Sequence, residues 1–305
     1  MGTIPNDEGD FKRLMRLHQG WWRTAVLCEN PGKNPGDHEK QVCNTIEGGE
    51  ESRKNFLSEA TWQAVTETLR EREEELGRYG KTAGLFNEDR LYNNLLSSQP
   101  LAFNFFGELK LDLDLATQVI RLWEPEIDSV DEVRFEYAPL PKENYTDDHS
   151  AFDVAFFCRR QGRRGLIGLE VKYTDDFSRE GKQRERYRAV FDRSRSNFAQ
   201  EYEDYFSGQY VQLFRSELLA QSLIQRNEID FAITGLFCHP ADLNALRVGE
   251  AFKGMLTDKT RFRVATYRDF IERVQKLNSS WSRREWTMKL WARYCGLDFS
   301  AGVLK

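Results

Sequence analysis

Two apolar runs flank a short basic segment in FDVAFFCRRQGRRGLIGLEVKY, residues 152–173. Both runs are rich in aromatic and β-branched residues, which favour strands. The segment between them, residues 159–165, contains two glycines and four arginines, and a glycine-containing segment between two such runs is typical of a hairpin turn. The stretch therefore predicts an antiparallel β-hairpin.

The pairing of the two arms decides which side chains share a face. With Arg159 placed opposite Leu166, Asp153 falls opposite Lys172. Because side chains alternate along a strand, Asp153, Glu170 and Lys172 then lie on one face. The other face is apolar and is expected to pack into a core. It collects Val154, Phe156, Cys158, Ile167, Leu169, Val171 and Tyr173.

Ionisable side chains within apolar strands are costly to bury unless something pairs or coordinates them. The carboxylates of Asp153 and Glu170, with the main-chain carbonyl of Val171, offer hard oxygen ligands that suit Mg²⁺ or Mn²⁺. Lys172 would then orient a water molecule or stabilise charge on a phosphate. The alternative is a cross-strand salt bridge between Asp153 and Lys172 on a solvated face. The hairpin alone leaves both interpretations open.

At these residues the chain resembles the PD-(D/E)XK, or restriction-endonuclease-like, nuclease superfamily. The shared pattern is an aspartate on one strand, here Asp153, and Glu-x-Lys on the next, here Glu170 to Lys172. Residues 91–239 resemble a bacterial restriction-endonuclease-like family of uncharacterised proteins, with local matches at 98–104 (SQPLAFN), 151–153 (AFD) and 167–174 (IGLEVKYT). The resemblance implies a core of helix, three strands, helix and strand, and hydrolysis that leaves a 5′-phosphate.

The resemblance also directs attention to two further residues and to one departure. Many members supply an earlier acid, for which Glu136 is the candidate; its alternative is an ordinary solvent-facing strand residue. A glutamine on a later helix also recurs, and Gln221 is the candidate for it, although Gln221 would otherwise be a plain helix residue. Phe152 stands where the superfamily name has proline, at a position that varies widely among members.

The net charge of −5 does not by itself favour a nucleic-acid partner, but its distribution does. Residues 159–195 carry twelve basic and six acidic residues, an excess of six positive charges. A basic region beside an acidic metal site is what contact with a phosphate backbone requires. The alternative is a solvated helix face with i,i+4 ion pairs. The candidate phosphate contacts are Arg159, Arg160, Arg163, Arg164, Arg179, Lys182, Arg184 and Arg186.

The remaining pattern predicts an α/β fold, a restriction-endonuclease-like core with a central mixed β-sheet flanked by helices and with helical N- and C-terminal additions. Strands are predicted at 132–138, 152–159, 166–173, 231–237 and 261–265, with helices at 91–101, 111–122, 184–205 and 209–226 among others. Residues 30–51 are rich in proline, glycine and charge, which predicts irregular structure. The predicted division is 1–85, an N-terminal extension; 86–278, the nuclease-like domain; and 279–305, a tryptophan-rich helix.

Cysteine usage and hydropathy bear on location. The five cysteines are far apart, with no C-x-x-C spacing, which predicts reduced thiols rather than disulfides or a zinc site. No apolar run approaches the roughly 20 residues that cross a bilayer. We expect a protein with no membrane partner, located in the cytoplasm.

Aromatic residues near the C-terminus and one loop histidine allow two interpretations each. Trp281, Trp286 and Trp291 alternate with basic residues, a pattern that can stack bases and hold phosphates. The preferred interpretation is a helix that docks on the core, on a second copy of the chain or on a partner protein. His149 would either assist a metal or water near Asp153 or simply be exposed.

Together these observations predict a Mg²⁺- or Mn²⁺-dependent phosphodiesterase, a DNA endonuclease with a role in restriction, phage defence or repair. Asp153 and Glu170, with the Val171 carbonyl, would hold the metal, and Glu136 would assist. One alternative is a non-cleaving nucleic-acid-binding or assembly protein with the same fold. Another is a nuclease acting on RNA or on structured junctions.

Overall fold

The computed structural model describes residues 8–34, 37–82, 86–178, 181–277 and 280–301. The strands in these ranges are β1 Pro31–Asn34, β2 Asp37–Ile46, β3 Ser129–Tyr137, β4 Phe152–Arg160, β5 Arg163–Lys172, β6 Phe231–Cys238 and β7 Phe262–Thr266. The α-helices are α1 Asp10–Trp21, α2 Gly49–Ser52, α3 Glu59–Tyr79, α4 Glu88–Asn93, α5 Ser98–Leu111, α6 Leu113–Ile120, α7 Glu185–Arg193, α8 Val211–Gln225, α9 Leu243–Gly254, α10 Tyr267–Val274, α11 Trp281–Tyr294 and α12 Asp298–Ala301.

The central sheet has the strand order β3-β4-β5-β6-β7. β3, β4 and β5 are antiparallel neighbours, whereas β6 and β7 run parallel to β5. Parallel neighbours need a crossover connection, and here α7 and α8 lie between β5 and β6, while α9 lies between β6 and β7. The protein is therefore α/β with a central mixed sheet flanked by helices, which confirms the predicted fold class.

The β4–β5 hairpin has a tighter turn than the sequence suggested. Arg159 lies opposite Arg164 rather than Leu166, because only Gln161 and Gly162 form the turn. Both turn residues have positive φ, 53° and 75°, as a two-residue turn of this kind requires. The register is thus shifted by two residues from the predicted one, and a shift of two leaves every side chain on its predicted face.

Both faces of the sheet are covered by helices, because the strands carry apolar side chains on both faces. On the face predicted to be apolar, Phe237 of β6 contacts Phe105 and Phe106 of α5 and Phe270 of α10. On the opposite face a smaller cluster joins the sheet to α8. Its buried members are Tyr145, Phe152, Ala155, Leu166, Leu219, Ala220, Leu223, Ile229 and Ala232. The polar trio lies at one end of this second face.

The predicted N-terminal extension, nuclease-like domain and C-terminal helix all contribute to one hydrophobic cluster, which includes Met15 and Leu290. A buried polar network adds to this connection. Arg293 of α11 donates to the side chain of Gln19 in α1 (3.3 Å) and to the carbonyl (2.7 Å) and side chain (2.5 Å) of Asn55. The terminal additions are therefore packed into the same core as the sheet.

Three segments differ from their predicted conformation. The helix predicted at 184–205 ends at Arg193 as α7, and Tyr202–Phe206 forms a separate 3₁₀ helix. Within residues 30–51, β1 and β2 pair as an antiparallel hairpin, with Pro31 opposite Ile46, so this segment is not irregular throughout. The helix predicted at 91–101 is divided, because α4 ends at Asn93 and Ser97 caps the start of α5. Most of α5 lies outside the predicted helix; since it is buried on nearly all sides, it lacks the amphipathic pattern that marks a surface helix.

The C-terminal helix uses its tryptophans in two ways. Trp286 is buried and its indole N–H donates to the Asn104 carbonyl at 2.8 Å. Trp281 is 76% exposed, and Trp291 is partly exposed and stacks edge-on against Phe299. Docking on the core is thus confirmed for one face of α11. None of the helices in the described ranges is long and apolar enough to cross a membrane.

Candidate active site

Three carboxylates lie side by side across the antiparallel half of the sheet. The register of β3 against β4 sets Glu136 opposite Asp153, and the register of β4 against β5 sets Asp153 opposite Glu170. Directly opposed residues on antiparallel strands have Cβ atoms about 5 Å apart on the same face. The earlier acid predicted from the sequence therefore lies next to the predicted pair.

A cleft of 370 Å³ contains all three acids. It lies between the ends of these strands, the starts of α5 and α8, and the loop before β4. Its lining residues are Arg90, Ser98, Gln99, Glu136, His149, Ser150, Ala151, Asp153, Glu170, Val171, Lys172, Asp175, Asp176, Gln212, Arg215 and Ser216. The side chain of His149 is exposed, and it lies at the wall of the cleft.

The backbone at Glu136 is unusual for a strand residue. Its φ is +49°, a left-handed conformation that is uncommon for a residue with a side chain and that recurs at functional sites.

The Gln99 amide donates to Glu136 Oε1 at 3.1 Å. Gln99 belongs to the 98–104 segment, whose resemblance to the family was noted from the sequence, and it lies in the first turn of α5.

Burial and mutual repulsion dominate the electrostatics of the acids. Burial raises the pKa of Glu136 to about 7, with the Glu170 charge adding to the effect and the Gln99 hydrogen bond and the Arg72 charge opposing it. Burial also raises the pKa of Asp153 well above its ordinary value, and the charges of Glu170 and Glu136 add to that shift. The Val171 N–H, which donates to Asp153 Oδ2 at 2.6 Å, opposes it.

This excess of buried negative charge is suited to a cation. Asp153 and Glu170 are opposed carboxylates, and Val171 lines the same cleft; two carboxylates and a main-chain carbonyl would form a set of hard oxygen donors that fits Mg²⁺ or Mn²⁺. Within the part of the chain that the structure describes, no three His, Cys, Asp or Glu side chains form a preassembled metal cluster.

Lys172 is held by two partners. Its Nζ lies 3.2 Å from Glu170 Oε1 and donates to Gln212 Oε1 at 2.9 Å. The ion pair of Lys172 is thus with Glu170 and not with Asp153, because the observed register sets Asp153 opposite Glu170. Gln212 also accepts the Ser178 N–H at 3.3 Å. Lys172 Nζ also lies over the Phe177 ring, 5.1 Å from the ring centroid.

The helix glutamine in the cleft is Gln212, and the structure does not bring Gln221 there. Gln221 lies nine residues, or about two and a half turns, further along α8. Its side chain is buried between Glu217 and Asn197, at 2.8 and 2.9 Å, and lines a separate cavity. The sequence placed a glutamine on this helix, but it did not determine which turn of the helix faces the cleft.

Sequence reasoning missed Arg215 and Asp148. Arg215 follows Gln212 by three residues on α8, a spacing that puts both on one helix face, and its Nη2 lies 2.5 Å from Asp148 Oδ2. Although burial acts to raise the pKa of Asp148, Arg215 and hydrogen bonds from Ser150, Tyr187 and Thr146 lower it to about 2. Helical spacing was the available signal for Arg215, whereas Asp148 in a polar loop had none.

The arginines of the hairpin turn do not surround the acids. Arg159 is six residues along β4 from Asp153, a distance of about 20 Å at strand spacing, because the turn is at the opposite end of the hairpin. All four have partners within the protein. These are Asp131 for Arg159 (2.8 Å), Glu126 for Arg160 (3.7 Å), the Asp230 carbonyl for Arg163 (3.1 Å) and the Asn227 carbonyl for Arg164 (2.9 Å).

The later basic candidates have different surroundings. Arg184 donates to the Asp147 carbonyl at 3.0 Å, and Arg186 donates to the Tyr145 carbonyl at 2.7 Å, so both hold the loop before β4. Lys182 is exposed. Arg179 lies outside the described residues. Among the described candidates, the basic residues thus do not form one surface around the cleft.

Comparison with known families agrees with the fold. The family model of the PD-(D/E)XK nuclease superfamily matches residues 5–296, and the chain belongs to this superfamily. Membership indicates nuclease activity, with nucleic acid as the substrate, and members of the superfamily typically use divalent metals. No curated protein and no solved structure matches the chain.

Proposed function

We propose that the protein is a metal-dependent nuclease that hydrolyses phosphodiester bonds in DNA. The observation that carries this proposal is the alignment of Glu136, Asp153 and Glu170 on three adjacent strands, with Lys172 in the same cleft. Burying ionised carboxylates beside one another costs free energy. In a nuclease site a bound metal ion would offset that cost.

In this proposal Asp153 and Glu170, with the Val171 carbonyl, hold Mg²⁺ or Mn²⁺, and Glu136 orients that ion or contributes to a second one. The bound cation would offset the repulsion among the carboxylates and polarise the substrate phosphate. Such a supporting role suits Glu136, because the Gln99 amide donates to Glu136 Oε1 at 3.1 Å and so fixes the carboxylate.

The hydrolytic step needs a water molecule oriented toward phosphorus. The water oxygen forms a bond to phosphorus and gives up a proton, the bond from phosphorus to the 3′ oxygen breaks, and the 3′ oxygen takes up a proton from solvent, so that the products are a 5′-phosphate and a 3′-hydroxyl. The ammonium of Lys172 would hold this water and stabilise the charge that develops on the phosphate. Gln212 is a positioning residue, since its hydrogen bond at 2.9 Å orients Lys172.

The site is tested by cleavage assays with near-isosteric variants. Supercoiled plasmid, single-stranded DNA and RNA of the same sequence would each be incubated with Mg²⁺, Mn²⁺ or a chelator, using the wild-type protein, Asp153→Asn and Lys172→Met. We expect metal-dependent cleavage of DNA that falls by about 10²-fold or more in both variants. Glu132→Gln is the matched control, because Glu132 lies on β3 and pairs with Arg134 outside the cleft.

The same assay separates the alternatives. Cleavage of RNA in preference to DNA would favour an RNA nuclease. Binding without cleavage of any substrate would favour a non-cleaving nucleic-acid-binding protein. Equal cleavage by the wild type and both variants would trace the activity to a contaminant and remove the support for the assigned residues.

We also propose a cytoplasmic location, where a nuclease acting in restriction, phage defence or repair meets DNA. All five cysteines are free, and free thiols persist in a reducing compartment.

A further inference from the structure

Arg215 is a cation of the cleft with no role in the site as described so far. It lies on the same face of α8 as Gln212, which holds Lys172. Its side chain is 33% exposed, so it is neither buried in the core nor free in solvent. An arginine in this position can contact both the protein and a ligand in the cleft.

One edge of the Arg215 guanidinium is bound to Asp148. Nε donates to Asp148 Oδ2 at 3.0 Å and to Ser150 Oγ at 3.0 Å, and Nη2 donates to Asp148 Oδ2 at 2.5 Å. Asp148 itself is only 5% exposed. These contacts fix the plane of the guanidinium relative to the loop before β4.

Asp148 is over-supplied with donors. Besides Arg215, it accepts the hydroxyls of Thr146 (2.7 Å), Ser150 (2.6 Å) and Tyr187, and the Ser150 N–H (3.1 Å). These donors keep the Asp148 carboxylate ionised and fixed against the Nε and Nη2 atoms of Arg215. The pair is neutral as a whole, but the carboxylate lies on one edge of the guanidinium and leaves the Nη1 edge for another acceptor.

The other edge of the guanidinium has no protein partner. Within the described ranges of the chain, Nη1 of Arg215 makes no hydrogen bond, while Nε and Nη2 are both used. Arginine is suited to such a double role, because its planar fork binds a carboxylate on one edge and still offers donors to a phosphate on the other. Lysine, with a single nitrogen, cannot make both contacts in the same geometry.

We propose that Arg215 binds a phosphate of the nucleic-acid strand in the cleft through Nη1, and that Asp148 is the residue that positions it. This inference rests on the proposed nuclease function, because the phosphate it binds is that of the substrate. It assigns the phosphate contact beside Glu170 and Lys172 to α8, and not to the arginines of the hairpin turn, which are about 20 Å away.

A purely structural role for Arg215 would predict a different pattern of effects. If Arg215 only anchored the loop before β4, removing either Arg215 or Asp148 would lower the melting temperature, and both changes would alter DNA binding to the same extent. If Nη1 binds phosphate, losing Arg215 removes one phosphate contact, whereas Asp148→Asn keeps the positive charge in the cleft. The salt dependence of DNA binding distinguishes the two roles.

The experiment measures DNA binding and cleavage by Arg215→Met, Arg215→Lys and Asp148→Asn. Binding of a fluorescent duplex is followed by anisotropy across NaCl concentrations with Ca²⁺ present, and cleavage is followed separately with Mg²⁺. For Arg215→Met we expect the slope of log K against log[NaCl] to become shallower by about 0.9, the value for one lost phosphate contact. Affinity should fall by about tenfold or more. Asp148→Asn should retain the wild-type slope.

Controls and outcomes keep this test separate from that of the nuclease function. Arg273→Met removes an arginine paired with Asp269 at 2.7 Å outside the cleft, and it should leave both slope and cleavage unchanged. Melting temperatures confirm folding; if Arg215→Met does not fold, Arg215→Lys decides, with an expected loss of about tenfold in kcat/KM.

Two results would overturn the phosphate contact and leave the nuclease function standing. In the first, the wild type cleaves DNA and Arg215→Met keeps the wild-type salt slope. In the second, the wild type cleaves DNA and Arg215→Lys keeps full activity. A wild type that binds without cleaving, together with the expected loss of slope, would support the contact and overturn the nuclease function.

Discussion

Replacing Asp148 by asparagine is expected to destabilise the protein, most of all at neutral pH. The free-energy difference follows from the pKa of this carboxyl, which burial acts to raise but Arg215 and three hydroxyl groups bring down from 3.8 to about 2. One pKa unit corresponds to about 1.4 kcal/mol, so ionisation of Asp148 stabilises the folded state by about 2 kcal/mol at pH 7. The side chain is only 3% exposed, so solvent screening does not reduce this figure appreciably.

The sign of the pH dependence follows from the direction of the pKa shift. A carboxyl whose pKa is lower in the folded state stabilises folding above its unfolded pKa, and that stability disappears as the pH falls toward the folded pKa. The contribution of Asp148 should therefore decrease from about 2 kcal/mol at pH 7 to about 1 kcal/mol at pH 3.

Urea denaturation of the wild type and Asp148→Asn at pH 7, 4 and 3 measures this difference directly. Asp192→Asn is the control, because it removes an aspartate from an exposed i,i+4 pair with Arg188 and should cost less than about 1 kcal/mol at each pH. A gap between wild type and Asp148→Asn that stays constant from pH 7 to pH 3 would refute the reasoning.

Three further predictions concern other parts of the molecule. Gln212→Leu should leave a proton of buried Lys172 without its acceptor and lower kcat by about tenfold with little change in KM; steady-state kinetics on DNA would show whether KM rises instead. Arg293→Met should cost about 3 kcal/mol or more in urea denaturation, since it leaves the buried acceptors of Gln19 and Asn55 unpaired. A cost below about 1 kcal/mol would contradict this. Burial lowers the pKa of His239 to about 4 from 6.5, although its hydrogen bond to the Tyr294 carbonyl opposes the shift. The unfolded state therefore binds more protons below pH 6.5, and stability should fall by about 3 kcal/mol between pH 6.5 and 4, a dependence that His239→Gln should remove.

The hairpin illustrates how far local sequence determined the site. The two-residue alternation of a strand is a property of the backbone, so it assigned Asp153, Glu170 and Lys172 to one face without knowledge of the register. The exact pairing depended on the turn. Because Gln161 and Gly162 both adopt positive φ, the turn is shorter than the run of basic residues suggested, and Asp153 faces Glu170.

The glutamine on α8 illustrates a different limit. The segment was predicted to be helical from its apolar pattern, and α8 begins at Val211 and ends at Gln225. Which glutamine reaches the cleft depends on where the helix crosses the sheet, and that crossing is set by packing of Leu219, Ala220 and Leu223 against β4, β5 and β6. Gln212 at the start of the helix therefore meets Lys172, and Gln221 does not.

The basic residues show that closeness in sequence is not closeness in space. Residues 159–195 are basic as a group, but an antiparallel hairpin carries its turn away from the strand ends that hold the acids. Arg184 and Arg186 are used to bind main-chain carbonyls of a loop. A charge count along the chain records none of this, because the partners come from distant segments.

The sequence by itself determined the α/β class, the hairpin, the face shared by the acids and the lysine, and the superfamily to which the chain belongs. These follow from local periodicity and from a short motif, which depend on neighbouring residues alone. Only the tertiary structure decided that Glu136 lies opposite Asp153, that Gln212 holds Lys172 and that Asp148 and Arg215 join the cleft. Those contacts join strands, helices and loops far apart in the chain, so they exist only once the sheet and its covering helices have packed.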